Sequence, residues 1–170
     1  MMNSANRHAT FRSQVFSIVS ISVWLVILIF LFAVNYLNLA TVYFTINKDG
    51  SSLRTAESIL VGVCHRMPSR SFWFLEVPLG LCSRCTGLYL AALLAAIILP
   101  FSNFRRIKNC FAYSLYALVP LLIDSTLQHY SLYVGNNILR FSTGALFGYG
   151  IIALVTLYHN HLNHQLNKWR

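Results

Sequence analysis

Cys64-His65 and the later Cys82-Ser83-Arg84-Cys85 are the residues of this chain best suited to chemistry. Three of the four cysteines, one of the six histidines and three arginines fall between Cys64 and Gly87, in a sequence that is otherwise largely hydrocarbon. Cys64, His65, Cys82 and Cys85 make a Cys₃His set, which suits zinc or another thiophilic metal with tetrahedral preference. Cys82 and Cys85 form a C-x-x-C at the start of an apolar run. At a helix N-terminus, free backbone N–H groups and the macrodipole favour thiolate over thiol.

That preference suits redox chemistry as well as metal ligation. A membrane thiol-disulfide oxidoreductase using Cys82 and Cys85, with Cys64 as resolving thiol, is the alternative. The count favours metal, because Cys64, Cys82, Cys85 and His65 complete a tetrahedron, whereas a redox pair leaves one thiol odd. Adjacent residues point apart, so Cys64 and His65 can both ligate only from an irregular loop, which Pro68 permits. A structural membrane protein whose cysteines are packed as small apolar residues is the third reading. The pattern names no reaction.

The elements that must position these residues are membrane helices. The chain has 170 residues, of which 56% are hydrophobic and 10% charged, against about 25% charged in a soluble domain. Residues 13–47, 85–104 and 141–167 carry no Lys, Arg, Asp or Glu, and each exceeds or approaches the roughly 20 apolar residues of a bilayer crossing. Residues 109–129 are apolar apart from Asp124 and make a further candidate. The expected fold is all-α: an integral membrane four-helix bundle with spans near 14–37, 81–101, 109–129 and 138–159. An extracytoplasmic loop segment joins helices one and two. Within it, apolar residues at 53, 56, 59, 60 and 63 predict an amphipathic helix that delivers Cys64.

The net charge of +9 does not point to nucleic acid, because the basic residues cluster at the ends of apolar runs and form no aromatic-interleaved stripe. The partner implied is the lipid bilayer, and protein partners are left undefined. Basic clusters at 7–12, 105–108 and 168–170 share the inner side by the positive-inside rule. This predicts a multi-pass protein of the cell inner (cytoplasmic) membrane with both termini cytoplasmic. Its domains are a membrane anchor and the start of the outer loop over 1–50, a core membrane domain with the Cys/His motif over 51–160, and a basic cytoplasmic tail over 161–170. Cys110 falls on the inner side and joins neither site.

The topology also gathers supporting polar residues near the cysteines. Asp124 lies toward the outer end of the third span, Gln128 is one turn further along the same face, and Asn137 and Arg140 open the fourth. A charge in the middle of a spanning helix costs about 2.5–3.5 kcal/mol, so each charge should face protein and find a partner. Asp124 and Arg140 are the expected pair. Arg140, Gly144 and Gly148 share a stripe of small residues, matched by Gly87, Ala91 and Ala95, which predicts close helix packing.

Cys64-His65, Pro68-Ser69-Arg70-Ser71-Phe72 and Cys82-Ser83-Arg84-Cys85-Thr86-Gly87-Leu88-Tyr89 together resemble the signature of the prokaryotic membrane-protein family called domain of unknown function 2085. Pro120, Ile123-Asp124, Gln128, Asn137, Arg140 and Thr143-Gly144 resemble its later block. Ser125 and Ala91 depart from that pattern, standing where it has glycine. The resemblance covers roughly residues 60–150 and implies a fold and a residue cluster but no activity. The first span lies outside it and reads as an anchor.

Overall fold

The computed structural model describes residues 4–101, 110–130, 132 and 135–168. Six helices follow one another among these residues: α1 (Ser4–Ile46), α2 (Gly50–Val61), α3 (Ser83–Ile98), α4 (Cys110–Tyr116), α5 (Val119–His129) and α6 (Asn137–Lys168). A small antiparallel hairpin of β1 (Trp73–Phe74) and β2 (Val77–Pro78) lies between α2 and α3. Arg105, Arg106 and Lys108 lie outside the described residues, as does Arg170. The side chains of Arg7, Arg12, Cys110 and Lys168 lie outside them too.

Among the described residues, three helices are long and apolar enough to cross a bilayer: Ile21–Ile46, Ser83–Phe101 and Asn137–His159. The first extends beyond the Leu37 expected, because α1 continues unbroken to Ile46. Large apolar side chains on these helices face outward, among them Ile29, Phe32, Ile98 and Leu146. Such a continuous apolar exterior is what hydrocarbon surroundings require.

The third expected span is not one helix. It is divided at Ala117 and Leu118 into α4 and α5, and Pro120 explains the break. A proline ring within a helix clashes with the carbonyl four residues earlier. Here that residue is Tyr116, the last of α4. The chain tightens instead, with Ala117 N–H donating to Tyr113 O and Leu118 N–H to Leu115 O. The two pieces run antiparallel to α6, with Ser114 beside Gly150 and Gln128 beside Arg140.

The segment joining α1 and α3 is largely ordered structure. Asp49 caps α2 by accepting the Ser52 N–H at 3.2 Å, and Ala56 and Leu60 are buried against the body of the protein. The expected helical face is therefore present, although Ile59 points outward. The sequence does not announce the hairpin, since its turn residues Leu75 and Glu76 both adopt positive φ, at 49° and 61°. Glycine and asparagine are the residues that ordinarily announce such a turn.

The tightest packing joins α3 to α6. A Cβ placed on Gly87 would lie 2.2 Å from the Phe141 carbonyl oxygen, one on Gly144 2.1 Å from that of Arg84, and one on Gly148 2.1 Å from that of Leu88. The two backbones thus touch along a glycine seam, as the spacing predicts. Ala92, Ala95, Ala96, Ile152 and Ala153 continue the contact as the buried core, with Leu31 of α1 closing it.

Gly144→Ala therefore forces backbone apart from backbone and should cost about 1–3 kcal/mol or more, the range for overpacking. Gly50→Ala, where nothing lies within 4 Å of the added carbon, should be neutral. Thermal unfolding in detergent, followed by tryptophan fluorescence, checks the contrast.

Candidate functional site

Cys82 is the N-cap residue of α3, and Cys85 lies three residues further on, so the first turn sets both side chains at the helix N-terminus. Cys64 comes from the other side, just beyond α2, with its N–H still donating to Leu60 O at 2.9 Å. The three sulfurs lie within 4.8 Å of one another, and Cys64 Sγ is 3.4 Å from Cys82 Sγ. Three thiolates on a tetrahedral zinc ion, each at about 2.3 Å, would stand about 3.8 Å apart. The observed triad is close to that spacing.

Cys64 Sγ accepts the backbone N–H groups of Arg66 and Cys82, each at 3.4 Å. The Cys64 thiol is held far below its ordinary pKa, first by the hydrogen bond with the Cys82 thiol and then by that with Cys85; burial opposes the shift. Cys82 is pushed up, chiefly because it shares that hydrogen bond with Cys64. Cys64 Sγ, accepting two backbone N–H groups, is the sulfur best surrounded by donors.

His65 is exposed and stands outside the compact sulfur set. It does line the same cavity of about 340 Å³ as Cys64, Cys82 and Cys85. Adjacent side chains point in different directions, which accounts for the separation.

The loop before α3 is fixed from three directions. Asn38 of α1, 3% exposed, accepts the Leu81 N–H at 2.8 Å, and its backbone carbonyl accepts from Gly80. Arg66 bridges from Gly80 O, at 3.0 Å, to Glu57 of α2, at 2.5 Å. The Ser83 hydroxyl, fully buried, donates to Arg70 O at 2.8 Å, while Asn137 of α6 donates to Ser71 O at 3.0 Å. Phe72 stacks edge-on against Phe141 of α6, and Tyr89 OH reaches Val63 O at 3.4 Å. Thus α1 does more than anchor the chain.

Arg84, Asp124, Gln128, Asn137 and Arg140 all meet beside the thiols. Arg84 forms an ion pair with Asp124, a partner that the expected pairing of Asp124 with Arg140 does not include. Gln128 donates to Asp124 at 2.7 Å and accepts from Arg140 Nε at 2.9 Å, linking Arg140 to the same carboxylate. Arg140 also donates to Asn137 Oδ1 at 3.2 Å. Arg84 Nε is buried and finds no acceptor among the described residues, a situation that costs about 1–3 kcal/mol when uncompensated.

Asn38, Ser83 and Arg70 are the contributors that sequence reasoning undervalued. An asparagine inside an apolar run is a costly choice in hydrocarbon and was the available signal for Asn38. Arg70 and Ser83 had no signal beyond their place in the cysteine motifs.

Membrane-length helices, a glycine seam and a thiol triad at the start of one of those helices are features of a membrane protein that carries a cysteine cluster. The chain belongs to the family described as predicted membrane protein (DUF2085), whose model matches residues 64–154. The first block of the match thus opens on Cys64 and carries every residue of the triad. An uncharacterised protein of Methanocaldococcus jannaschii is 37% identical over 94 residues, covering 53% of this chain and 59% of that protein. One of Methanothermobacter thermautotrophicus is 40% identical over 98 residues, covering 54% of this chain and 83% of that protein. No solved structure matches.

The Arg84–Asp124 pair is open to a double-mutant cycle. Asp124, 4% exposed, and Arg84, 22% exposed, form a pair whose breakage from one side should cost about 3–5 kcal/mol. Arg84→Gln with Asp124→Asn should cost clearly less than the two single losses added together. Additive losses, read as unfolding midpoints in detergent, would show that the two residues act separately.

Proposed function

We propose that Cys64, Cys82 and Cys85 bind a thiophilic metal ion such as zinc, with His65 or a solvent molecule as fourth ligand. The observation that carries this reading is the gathering of three sulfurs, from two separate segments, within 4.8 Å of one another. Two further features support it. Backbone N–H groups donate to Cys64 Sγ, the kind of outer hydrogen bonding that steadies metal ligands. The donor set itself, thiolates with an imidazole at the same cavity, matches zinc in softness and number.

In this reading the site lies at the non-cytoplasmic face of the cell inner membrane. The chain crosses four times, with α4 and α5 together acting as the third crossing and both termini cytoplasmic. The antiparallel run of α4 and α5 along α6 supports that count, and the basic clusters of the sequence support the direction. The redox alternative is favoured by one distance, the 3.4 Å between Cys64 Sγ and Cys82 Sγ, which puts the disulfide-competent pair across the two segments.

Metal analysis of protein purified without chelator, alongside thiol counting before and after reduction, tests the reading. One equivalent of metal is expected, lost in Cys82→Ser and Cys85→Ser. Metal-free protein with a reducible disulfide would replace this reading with the redox one. Affinity should also weaken as pH falls. Cys82 holds its proton above the ordinary thiol range, so metal must displace it. Metal titrations at several pH values, with a chromophoric competitor, should show tighter binding and proton release toward the alkaline side.

A further inference from the structure

The metal reading leaves three guanidinium groups at the cavity unexplained. Arg70, Arg84 and Arg140 line it together with the thiols, and no carboxylate is among its lining residues. Asp124 offsets one of these charges through its pair with Arg84, but it lies in the wall of a neighbouring apolar groove between α5 and α6. A surplus of positive charge therefore faces the cavity. The surplus persists with metal present, because three thiolates around a divalent ion leave one net negative charge against it.

We propose that this cavity is the binding site of a phosphate-type oxyanion, held by Arg70, Arg84 and Arg140 beside the sulfur triad. Guanidinium groups offer planar forks of N–H donors that match tetrahedral oxyanions, and an anion offsets the positive charge left over. Arg84 Nε has no acceptor among the described residues, so part of that guanidinium's donor capacity is unused. The mounts are rigid. Arg84 is held by Asp124, Arg140 by Gln128 and Asn137, and the Arg70 backbone by the buried Ser83 hydroxyl. Such prior fixing lowers the entropic cost of gripping an anion. The cavity, at about 340 Å³, falls within the range of about 300–1,000 Å³ typical of small-molecule sites.

The phosphate can be free or part of a lipid headgroup, and the proposal stands on the arginines whether or not the thiols hold metal. Full-length protein stripped of metal with a chelator is titrated calorimetrically with inorganic phosphate. In a second arm it is reconstituted in phosphatidylcholine nanodiscs with and without phosphatidic acid, and retained lipid is counted by native mass spectrometry. One equivalent of saturable binding is expected in one arm, which identifies the source as soluble or lipidic. Arg70→Gln, at an exposed position, should weaken that binding tenfold or more while the folded yield and the thiol count stay unchanged. Arg84→Lys should weaken it as well, by replacing the fork with a point charge. Absence of saturable binding in both arms, or undiminished binding in Arg70→Gln, would overturn the proposal. Protein that carries no metal when purified without chelator, yet binds phosphate, would defeat the metal reading alone.

Discussion

The backbone contact between α3 and α6 is the constraint on which the rest of the structure depends. Gly87, Gly144 and Gly148 remove the side chains that would hold the two helices apart, and van der Waals contact replaces the hydrophobic effect that drives such association in water. The seam also decides where chemistry can occur. Gly144 sits against the Arg84 carbonyl, so the first turns of α3 and α6 are pressed together. Cys82, Cys85, Arg84, Asn137 and Arg140 all belong to those turns or to the one that follows. Two apolar helices with a glycine stripe therefore bring the polar ends of both to one spot.

Around that spot polar groups are joined in a continuous chain of hydrogen bonds. Arg84 meets Asp124, Asp124 meets Gln128, Gln128 meets Arg140, and Arg140 meets Asn137. From Asn137 the chain reaches the loop at Ser71, while Ser83 holds the same loop at Arg70. A polar network of this kind is costly when partly satisfied and specific when complete. Here it ties α3, α5, α6 and the loop into one arrangement. Meanwhile Trp24, Asn35 and Asn38 of α1 each donate to α3, to Ala96 O, Tyr89 O and Thr86 Oγ1 respectively. The helix outside the recognised motifs is thus riveted to the helix that carries them.

The thiol triad draws on two mechanical sources with different tolerances. Cys82 and Cys85 are set by the first turn of α3. Cys64 depends on α2, on Arg66 in a left-handed conformation with φ 48°, and on Asn38 holding the returning strand of chain. A ligand or oxidant at the site would therefore bridge the rigid helix pair and the capping segment. Coupling of that segment to the bundle is the mechanical meaning of a site built across both.

The sequence by itself determined the membrane character, the glycine seam, the helix that delivers Cys64 and the set of residues that gather beside the thiols. Each is written in local periodicity or in the cost of placing a polar side chain in hydrocarbon, which acts wherever that residue sits. Tertiary structure alone decided the partners. Asp124 is paired with Arg84 because the glycine seam turns the first turn of α3 toward α5, a fact that spacing within α5 and α6 does not contain. The division of the third expected span follows from Pro120 opposing the Tyr116 carbonyl, where an apolar count sees only length. His65 stands apart from the three sulfurs because neighbouring side chains diverge along the backbone. Cys64 joins the other two because Asn38, distant in sequence, holds Leu81 and with it the start of α3, and no local pattern specifies contact between such separated segments.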